Sequence, residues 1–246
     1  MFQYFITMNT QQTPVLNPKL RSQAEMLYLI LGALFITALV TSNLIFQKFF
    51  YWNPLGLFRF ELSVGIIAYP VTFLVTDIVS EVYGKRRANF LVIAGIFASA
   101  FALLIVIVST YAPATDWSPL SDVEFKKAFG FTFLAVAASL AAYLAAQFID
   151  VQVFHFWKGI TKGKHLWLRN NLSTFTSQFI DTFTVLFLLC SFGVIDWVLF
   201  SKLLGNGFLF KVIIALLDTP FAYLGVYGLR RFFGISGHGA ELNLDE

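Results

Sequence analysis

The chain has 246 residues, of which 58% are hydrophobic and 13% are charged, and its net charge is +3 at pH 7. A soluble domain carries about 25% charged residues, so this composition excludes an ordinary soluble globular protein, and it also excludes intrinsic disorder. The single cysteine, Cys190, excludes an intrachain disulfide framework and a cysteine-based zinc site. The net charge is too small to indicate nucleic-acid binding. The composition therefore predicts a polytopic membrane protein that forms one compact bundle.

Six segments are each long and apolar enough to cross a membrane as a helix, which takes about 20 residues. Their apolar runs are continuous, whereas the strands of a membrane barrel alternate in polarity over about ten residues. The predicted fold is therefore all-α, a polytopic membrane protein with six transmembrane helices. The predicted spans are residues 27–47, 62–83, 89–111, 129–153, 174–195 and 207–229.

The distribution of Lys and Arg between the predicted loops sets the orientation, because these residues are retained on the cytoplasmic side. One side carries eleven of them and the other side five, which predicts that both termini are cytoplasmic. Residues 1–26 then form a cytosolic tail without the pattern of a secretory signal, and residues 27–230 form the six-helix domain. Residues 231–246 form a second cytosolic tail, which is polar and contains Gly, and we expect it to be mobile.

The longest predicted external loop, residues 112–127, contains Ser121 and Glu124 at the spacing of a capping box. In that motif each of the two side chains bonds to the backbone N–H of the other residue. The pair predicts that the fourth helix begins outside the bilayer, with an extra turn or two. Chance is the alternative, since such pairs are common.

Six spans with both ends on one side divide into two triplets of opposite topology, an arrangement that recurs in transporters with inverted repeats. A 3+3 inverted repeat is therefore allowed, although the two halves show no clear similarity. A smaller repeat is present, because the string QFID ends the fourth span at residues 147–150 and begins the fifth at residues 178–181. If these spans are antiparallel neighbours, both copies lie at a similar depth near the cytoplasmic side.

Five carboxylates lie within or at the ends of the predicted spans, namely Asp77, Glu81, Asp150, Asp181 and Asp218. Ionisable residues inside a bilayer cost a few kcal/mol each, so they usually face the bundle interior and mark function. Asp77 and Glu81 are four residues apart and share a helix face, as do the Gln and Asp of each QFID string. We expect four helices to contribute to one acidic layer in the cytoplasmic half of the membrane. Lys211 is the one intramembrane cation, and it cannot balance the charge of several carboxylates.

A structural interpretation stands beside this functional one. Glu81 and Asp150 can be hydrated at the interface, and Asp77, Asp181 and Asp218 can serve hydrogen bonds between helices. The basic cluster after the second span is interpreted as a topology anchor. Carboxylates without a cation must otherwise be protonated, bonded to Ser, Thr, Asn or Gln, or ready for a ligand that donates hydrogen bonds.

The sequence lacks the patterns of an intramembrane enzyme. It contains no HExxH and no GxSxG, no His lies within a predicted span, and no P-loop is present. We therefore expect no enzymatic activity, no metal and no cofactor. An acidic layer suits a ligand with several N–H donors, and a guanine-like edge offers N1–H and an exocyclic amine side by side. A Gln or Asn side chain can meet its carbonyl and an aromatic ring can stack on its plane.

Five segments carry a family resemblance that extends over residues 41–229. The segment TDIVSEVYGKRR at residues 76–87 resembles the signature of the queuosine precursor transporter family. The later segments YLAAQFIDV, WLRNNLSTFTSQFIDT and LLDTPFAYLG are similar to its later motifs, and TSNLI at residues 41–45 is similar to its first-helix pattern. The resemblance implies a six-helix inner-membrane importer of 7-cyano-7-deazaguanine and 7-aminomethyl-7-deazaguanine for queuosine modification of tRNA.

The expected partners are the 7-deazaguanine nucleobase and the lipid bilayer, not nucleic acid. A homo-oligomer is a further possibility that the sequence does not decide. We expect a secondary, proton-coupled transporter; the alternative is a binding subunit that needs an external ATPase, as in energy-coupling-factor transporters. Asp181 and Gln178 are the first choice for the donor edge of the base. The full set of expected substrate-binding residues is Asn43, Asp77, Glu81, Gln147, Asp150, Asn171, Gln178, Asp181 and Asp218.

Overall fold

The computed structural model describes residues 17–46, 48–56, 59–129, 133–162, 164–193, 195–236, 239–242 and 244. Within these ranges the chain forms seven α-helices and one two-stranded hairpin. The elements are α1 Pro18–Ile45, β1 Phe49–Trp52, β2 Phe60–Ser63, α2 Tyr69–Val82, α3 Gly84–Tyr111, α4 Asp122–Phe129, α5 Phe133–Ile160, α6 Leu166–Ser191 and α7 Phe200–Phe233.

Five helical stretches in the described chain are long and apolar enough to cross a membrane, which confirms a helical membrane architecture. They contain α1, α2, α3, α6 and α7. The 28-residue helix α5 lies where the fourth span was predicted. The count of six, the inverted repeat and the orientation remain predictions. Large apolar side chains are exposed on the outward faces of the long helices, as contact with lipid requires; they include Leu29, Phe97, Phe101, Leu224 and Tyr227.

Local sequence explains where several helices begin and end. Asn17 caps α1, since its side-chain oxygen accepts a hydrogen bond from the Leu20 N–H at 2.8 Å and Pro18 occupies the first turn. The capping box before α4 is confirmed, because the Ser121 N–H donates to Glu124 at 2.9 Å and the Glu124 N–H donates to the Ser121 hydroxyl at 3.3 Å. Helix α1 thus begins nearer the N-terminus than the predicted span.

The prediction of an all-α fold missed the hairpin between α1 and α2. Strands β1 and β2 pair antiparallel from Phe49 opposite Ser63 to Trp52 opposite Phe60. Alternate residues of β2 are buried, and its Phe60 packs with Trp52 against Phe210 of α7. Residues 62 and 63, which were assigned to the second span, therefore belong to a strand instead.

Helix α2 occupies the centre of the bundle and contacts α1, α3, α5 and α7. Its approach to α7 is close at Gly225, where a Cβ atom would lie 2.7 Å from Cδ1 of Ile78. The close packing encloses the polar side chains of α2, so that Thr72, Thr76 and Ser80 are buried. Helix α2 therefore carries the polar groups through the interior of the bundle.

We call one end of the bundle the basic end. It is the end at which α1 begins, α2 meets α3, α5 meets α6, and α7 ends. The distribution of Lys and Arg predicts that it faces the cytoplasm. The Tyr83 hydroxyl donates to the Ala24 carbonyl there at 3.0 Å and joins α2 to α1. The C-terminal segment, whose described residues are 235–236, 239–242 and 244, packs on this end with Leu242 and Leu244 buried. The expectation of a mobile tail is wrong for these residues, because their apolar side chains extend the core.

Candidate functional site

A narrow cleft with a cavity volume of about 20 Å³, enough for about one water molecule, lies between α2, α6 and α7. We call it the polar cleft, and its polar lining consists of Tyr69, Thr174, Gln178, Lys211 and Asp218. The aromatic rings of Phe73 and Phe210 complete its walls. Three transmembrane helices thus supply both hydrogen-bonding groups and flat apolar surfaces to one space, as in a small-molecule site.

Asp181 lies beside this cleft and is ion-paired. The Lys211 ammonium lies 2.6 Å from one carboxylate oxygen of Asp181, and the Tyr69 hydroxyl donates to the other at 3.2 Å. Lys211 also lies 5.1 Å from the centre of the Tyr69 ring, within the range of a cation–π contact. From the sequence, Lys211 was expected to be unable to balance several carboxylates; in the structure it pairs with one of them, Asp181, and joins α6 to α7.

The polar cleft also contains hydrogen-bonding groups that nothing in the described chain satisfies. The buried Oε1 of Gln178 and the buried hydroxyl of Thr174 have no hydrogen-bond partner among the described residues. Asp218, half-buried in the middle of α7, has no ion pair or hydrogen bond to a described residue either. Unsatisfied polar groups inside a membrane are costly, so these atoms are available to a ligand.

A second polar group lies between α2, α5 and α6. The Ser177 hydroxyl donates to Asp150 at 2.9 Å, and Asp77 and Ser173 lie close enough to Asp150 to interact with its carboxyl group. Two carboxyl groups close to each other repel when both are ionised, which favours a state in which the pair carries one proton. Gln147 is fully buried one turn away, and neither its amide nitrogen nor its oxygen has a partner in the described chain.

This second group confirms the prediction made from the repeated QFID string. Helices α5 and α6 are neighbours. Asp150, the last residue of the first copy, contacts Ser177, which directly precedes the second copy. The two copies therefore lie at a similar depth. Asp150 is only 1% exposed, which excludes the alternative of a hydrated carboxylate at the membrane surface.

An ion-pair network closes the basic end. Glu81 pairs with Arg230 of α7 at 3.1 Å and with Lys158 of α5 at 3.5 Å. Lys158 continues to Glu241 of the C-terminal segment at 2.7 Å. Glu81 is 2% exposed, so it is not a hydrated interfacial carboxylate. From the sequence, Lys158 and Arg230 were counted only among the loop charges that set the orientation, so this role was missed.

The other two predicted residues lie elsewhere. The Asn171 amide donates to the Trp167 carbonyl and to the Thr219 hydroxyl, both at 2.8 Å, so it joins α6 to α7 beside Asp218. Asn43 lines a separate cavity with Ser99, between α1, α3 and α5. The expected acidic layer is therefore divided into the polar cleft, the Asp77–Asp150 group and the network at the basic end, and Asn43 belongs to none of them.

The comparisons with known proteins agree with this architecture. The family described as "Putative vitamin uptake transporter" matches residues 63–225, which contain the whole polar cleft. A relative from Bacillus subtilis (strain 168), named "Probable queuosine precursor transporter", is 31% identical over 171 residues, which cover 68% of this chain and 72% of the relative. No solved structure matches. The chain thus belongs to the vitamin uptake transporter family and is a multi-pass membrane transporter, not an enzyme.

Proposed function

We propose that the protein imports queuosine precursors, 7-cyano-7-deazaguanine and 7-aminomethyl-7-deazaguanine, across the inner membrane as a secondary transporter. The named relative supports the substrate class. The observation that carries the proposal is the set of unsatisfied polar groups in the polar cleft, namely Asp218, Gln178 and Thr174. They line a narrow cleft with aromatic walls. This lining suits a flat base rich in hydrogen-bonding groups, and the helices must separate to admit the base, because the cleft now has a volume of only about 20 Å³.

Asp218 is the residue that we assign to the donor edge of the base. A free carboxylate accepts N1–H and the exocyclic amine together, whereas both oxygens of Asp181 already serve Lys211 and Tyr69. The Lys211 ammonium can donate to the carbonyl of the base, and Gln178 Oε1 can accept from a further N–H. The first choice made from sequence, Asp181, thereby becomes the residue that holds Lys211 in position.

The remaining candidate residues have supporting roles in this proposal. Asn171 holds α6 against α7 beside the cleft, and Glu81 holds α2 against α5 and α7. The adjacent carboxyl groups of Asp77 and Asp150 provide a pair that can take up and release a proton during transport. This supports the prediction of proton coupling, and collapse of the proton gradient should then abolish uptake.

The test is uptake of labelled 7-cyano-7-deazaguanine by cells that cannot synthesise it, with queuosine in tRNA as a second readout. Asp218→Asn should lower uptake at least tenfold at an unchanged amount of membrane-inserted protein, because an amide cannot accept both hydrogen bonds. Asp116→Asn, at an exposed loop position, is the matched control and should transport normally. Uptake by Asp218→Asn at the wild-type rate would show that Asp218 does not bind the substrate. The absence of uptake by the wild type would show that the proposed substrate class is wrong.

The alternative, a binding subunit that depends on an external ATPase, gives a different result in liposomes. The chain has no P-loop, so it cannot hydrolyse ATP by that route. Purified protein in liposomes without ATP should accumulate the base when a proton gradient is imposed. Binding without transport under these conditions would favour the ATPase-dependent alternative.

A further inference from the structure

A group of buried oxygen atoms lies where α2, α5 and α6 meet. Asp150 of α5 accepts a hydrogen bond from the Ser177 hydroxyl at 2.9 Å, and Asp77 and Ser173 lie close enough to interact with the same carboxyl group. None of these four residues is more than 3% exposed. Three helices therefore bring two carboxyl groups and two hydroxyls together away from water, and we call them the Asp77–Asp150 group.

Gln147 adds an amide to this group. It lies one turn before Asp150 on the same face of α5, the face that contacts α2 and α6, and it is fully buried. Neither its Oε1 nor its Nε2 has a hydrogen-bond partner among the described residues. A buried amide without partners destabilises the folded state, and a ligand that bonds to it removes that cost. The unsatisfied Oε1 therefore indicates a ligand beside Asp150.

Three cations inside the bundle are engaged with other carboxylates. Lys158 and Arg230 bind Glu81, one turn beyond Asp77 on α2. Lys211 binds Asp181 on α6. Two adjacent carboxyl groups repel when both are ionised, so a positively charged ligand that binds between them is stabilised. The proton of the proposed function is one such ligand, and a metal cation is another.

The donor set selects the kind of metal cation. The five side chains offer carboxylate, hydroxyl and amide oxygens, which suit a hard cation. Within the described ranges no three His, Cys, Asp or Glu side chains come together, so the ligands of a zinc site are lacking there. Secondary transporters with sites between membrane helices use Na⁺ or H⁺ as the coupling ion. Na⁺ is therefore the metal cation that fits both these ligands and secondary transport.

We propose that the Asp77–Asp150 group binds one Na⁺. Its ligands are the two carboxylates, Gln147 Oε1 and the hydroxyls of Ser173 and Ser177. The ion separates the two negative charges and gives the Gln147 oxygen a partner. The inference rests on the proposed function for secondary transport, and it extends that function from the proton to a metal cation at the same carboxylates. It makes no assumption about the transported base, because other residues of α6 line the polar cleft.

The first test measures ion binding without a transported base. The purified wild-type protein is unfolded by heat in NaCl or in choline chloride at equal ionic strength, with the reaction of the buried Cys190 thiol as the reporter. Na⁺ at about a hundredfold excess over its Kd should raise the unfolding temperature by roughly 5 °C or more, because it binds only the folded state. Equal unfolding temperatures in the two salts would overturn the proposal. Stabilisation by CaCl₂ but not by NaCl would overturn the choice of ion.

The second test concerns Gln147 as a ligand. Met fills a similar space without the amide, so Gln147→Met should unfold at a higher temperature than the wild type in choline chloride. Its Kd for Na⁺, obtained from the dependence of the unfolding temperature on NaCl, should rise at least tenfold. Gln152→Met is the matched control at an exposed position of the same helix, and it should keep the wild-type Kd. A wild-type Kd in Gln147→Met would show that Gln147 is only structural and would overturn its assignment.

Labelled Na⁺ gives a direct measurement of the same site. Binding to the wild type should saturate at a single ion per chain, and Asp150→Asn should abolish it in protein that still unfolds cooperatively. Retained binding in folded Asp150→Asn would overturn the site. The result is also independent of the substrate. Absence of 7-cyano-7-deazaguanine uptake by the wild type would contradict only the proposed substrate, whereas absence of Na⁺ binding would overturn only this inference.

Discussion

Replacement of Lys211 by Met should destabilise the protein strongly. The ion pair that it forms with Asp181 is short, at 2.6 Å, and the two side chains are 13% and 4% exposed. Removal of one partner from a buried pair costs about 3–5 kcal/mol, because the other charge is left without compensation. The Tyr69 hydroxyl remains as a donor to Asp181 but supplies no charge.

A cost of this size lowers the unfolding temperature by roughly 10 °C, at about 2–4 °C per kcal/mol for a chain of this length. The natural reporter is Cys190, the single cysteine, which is 3% exposed and reacts with a thiol-sensitive dye once the protein unfolds. Lys202→Met is the matched control, since Lys202 lies on the same helix and is exposed. It should unfold within about 2 °C of the wild type.

A double-mutant cycle separates the ion pair from other effects. Asp181→Asn alone should also destabilise, whereas Asp181→Asn/Lys211→Met removes both charges and should recover most of the loss, to within about 1 kcal/mol of the wild type. If the double variant unfolds at a temperature set by the sum of the two single losses, the two residues are not coupled. The recovered double variant should still fail to transport, because the cleft has lost the Lys211 ammonium.

Two further predictions concern the packing of the bundle and the external helix. Gly95→Ala should lower the free energy of unfolding by about 1–3 kcal/mol, because the new Cβ would lie 2.7 Å from the Phe35 ring. Gly228→Ala is the control, since a Cβ there has nothing within 4 Å, and it should be neutral or stabilising in the same thermal assay. Hydrogen bonds from Ser121 lower the pKa of Glu124 below its usual 4.5. The cap of α4 is therefore complete above pH 4.5 and is lost as the pH falls through the lowered pKa of Glu124. Amide exchange in α4 should accelerate on acidification, and it should also accelerate in Ser121→Ala. An unchanged exchange rate under both conditions would contradict the capping role.

Composition and hydropathy predicted the helical membrane architecture because the bilayer requires long apolar segments. They missed the hairpin because residues 48–61 were assigned to a connection between two spans, and strands of four residues give little periodic signal. They also placed the start of α1 too late. Asn17 and Pro18 were the available signals, since an Asn followed by Pro is a typical helix start.

Sequence reasoning found most of the buried polar residues but grouped them wrongly. Depth follows from the residue number along a helix, so the contact between Asp150 and Ser177 was predictable from the repeated string. Rotation of each helix about its axis does not follow from depth, and it separates Asn43 from the polar cleft. Partners of the carboxylates were missed for another reason. Counting Lys158 and Arg230 as loop charges concealed that they belong to the last turns of α5 and α7 and point at Glu81.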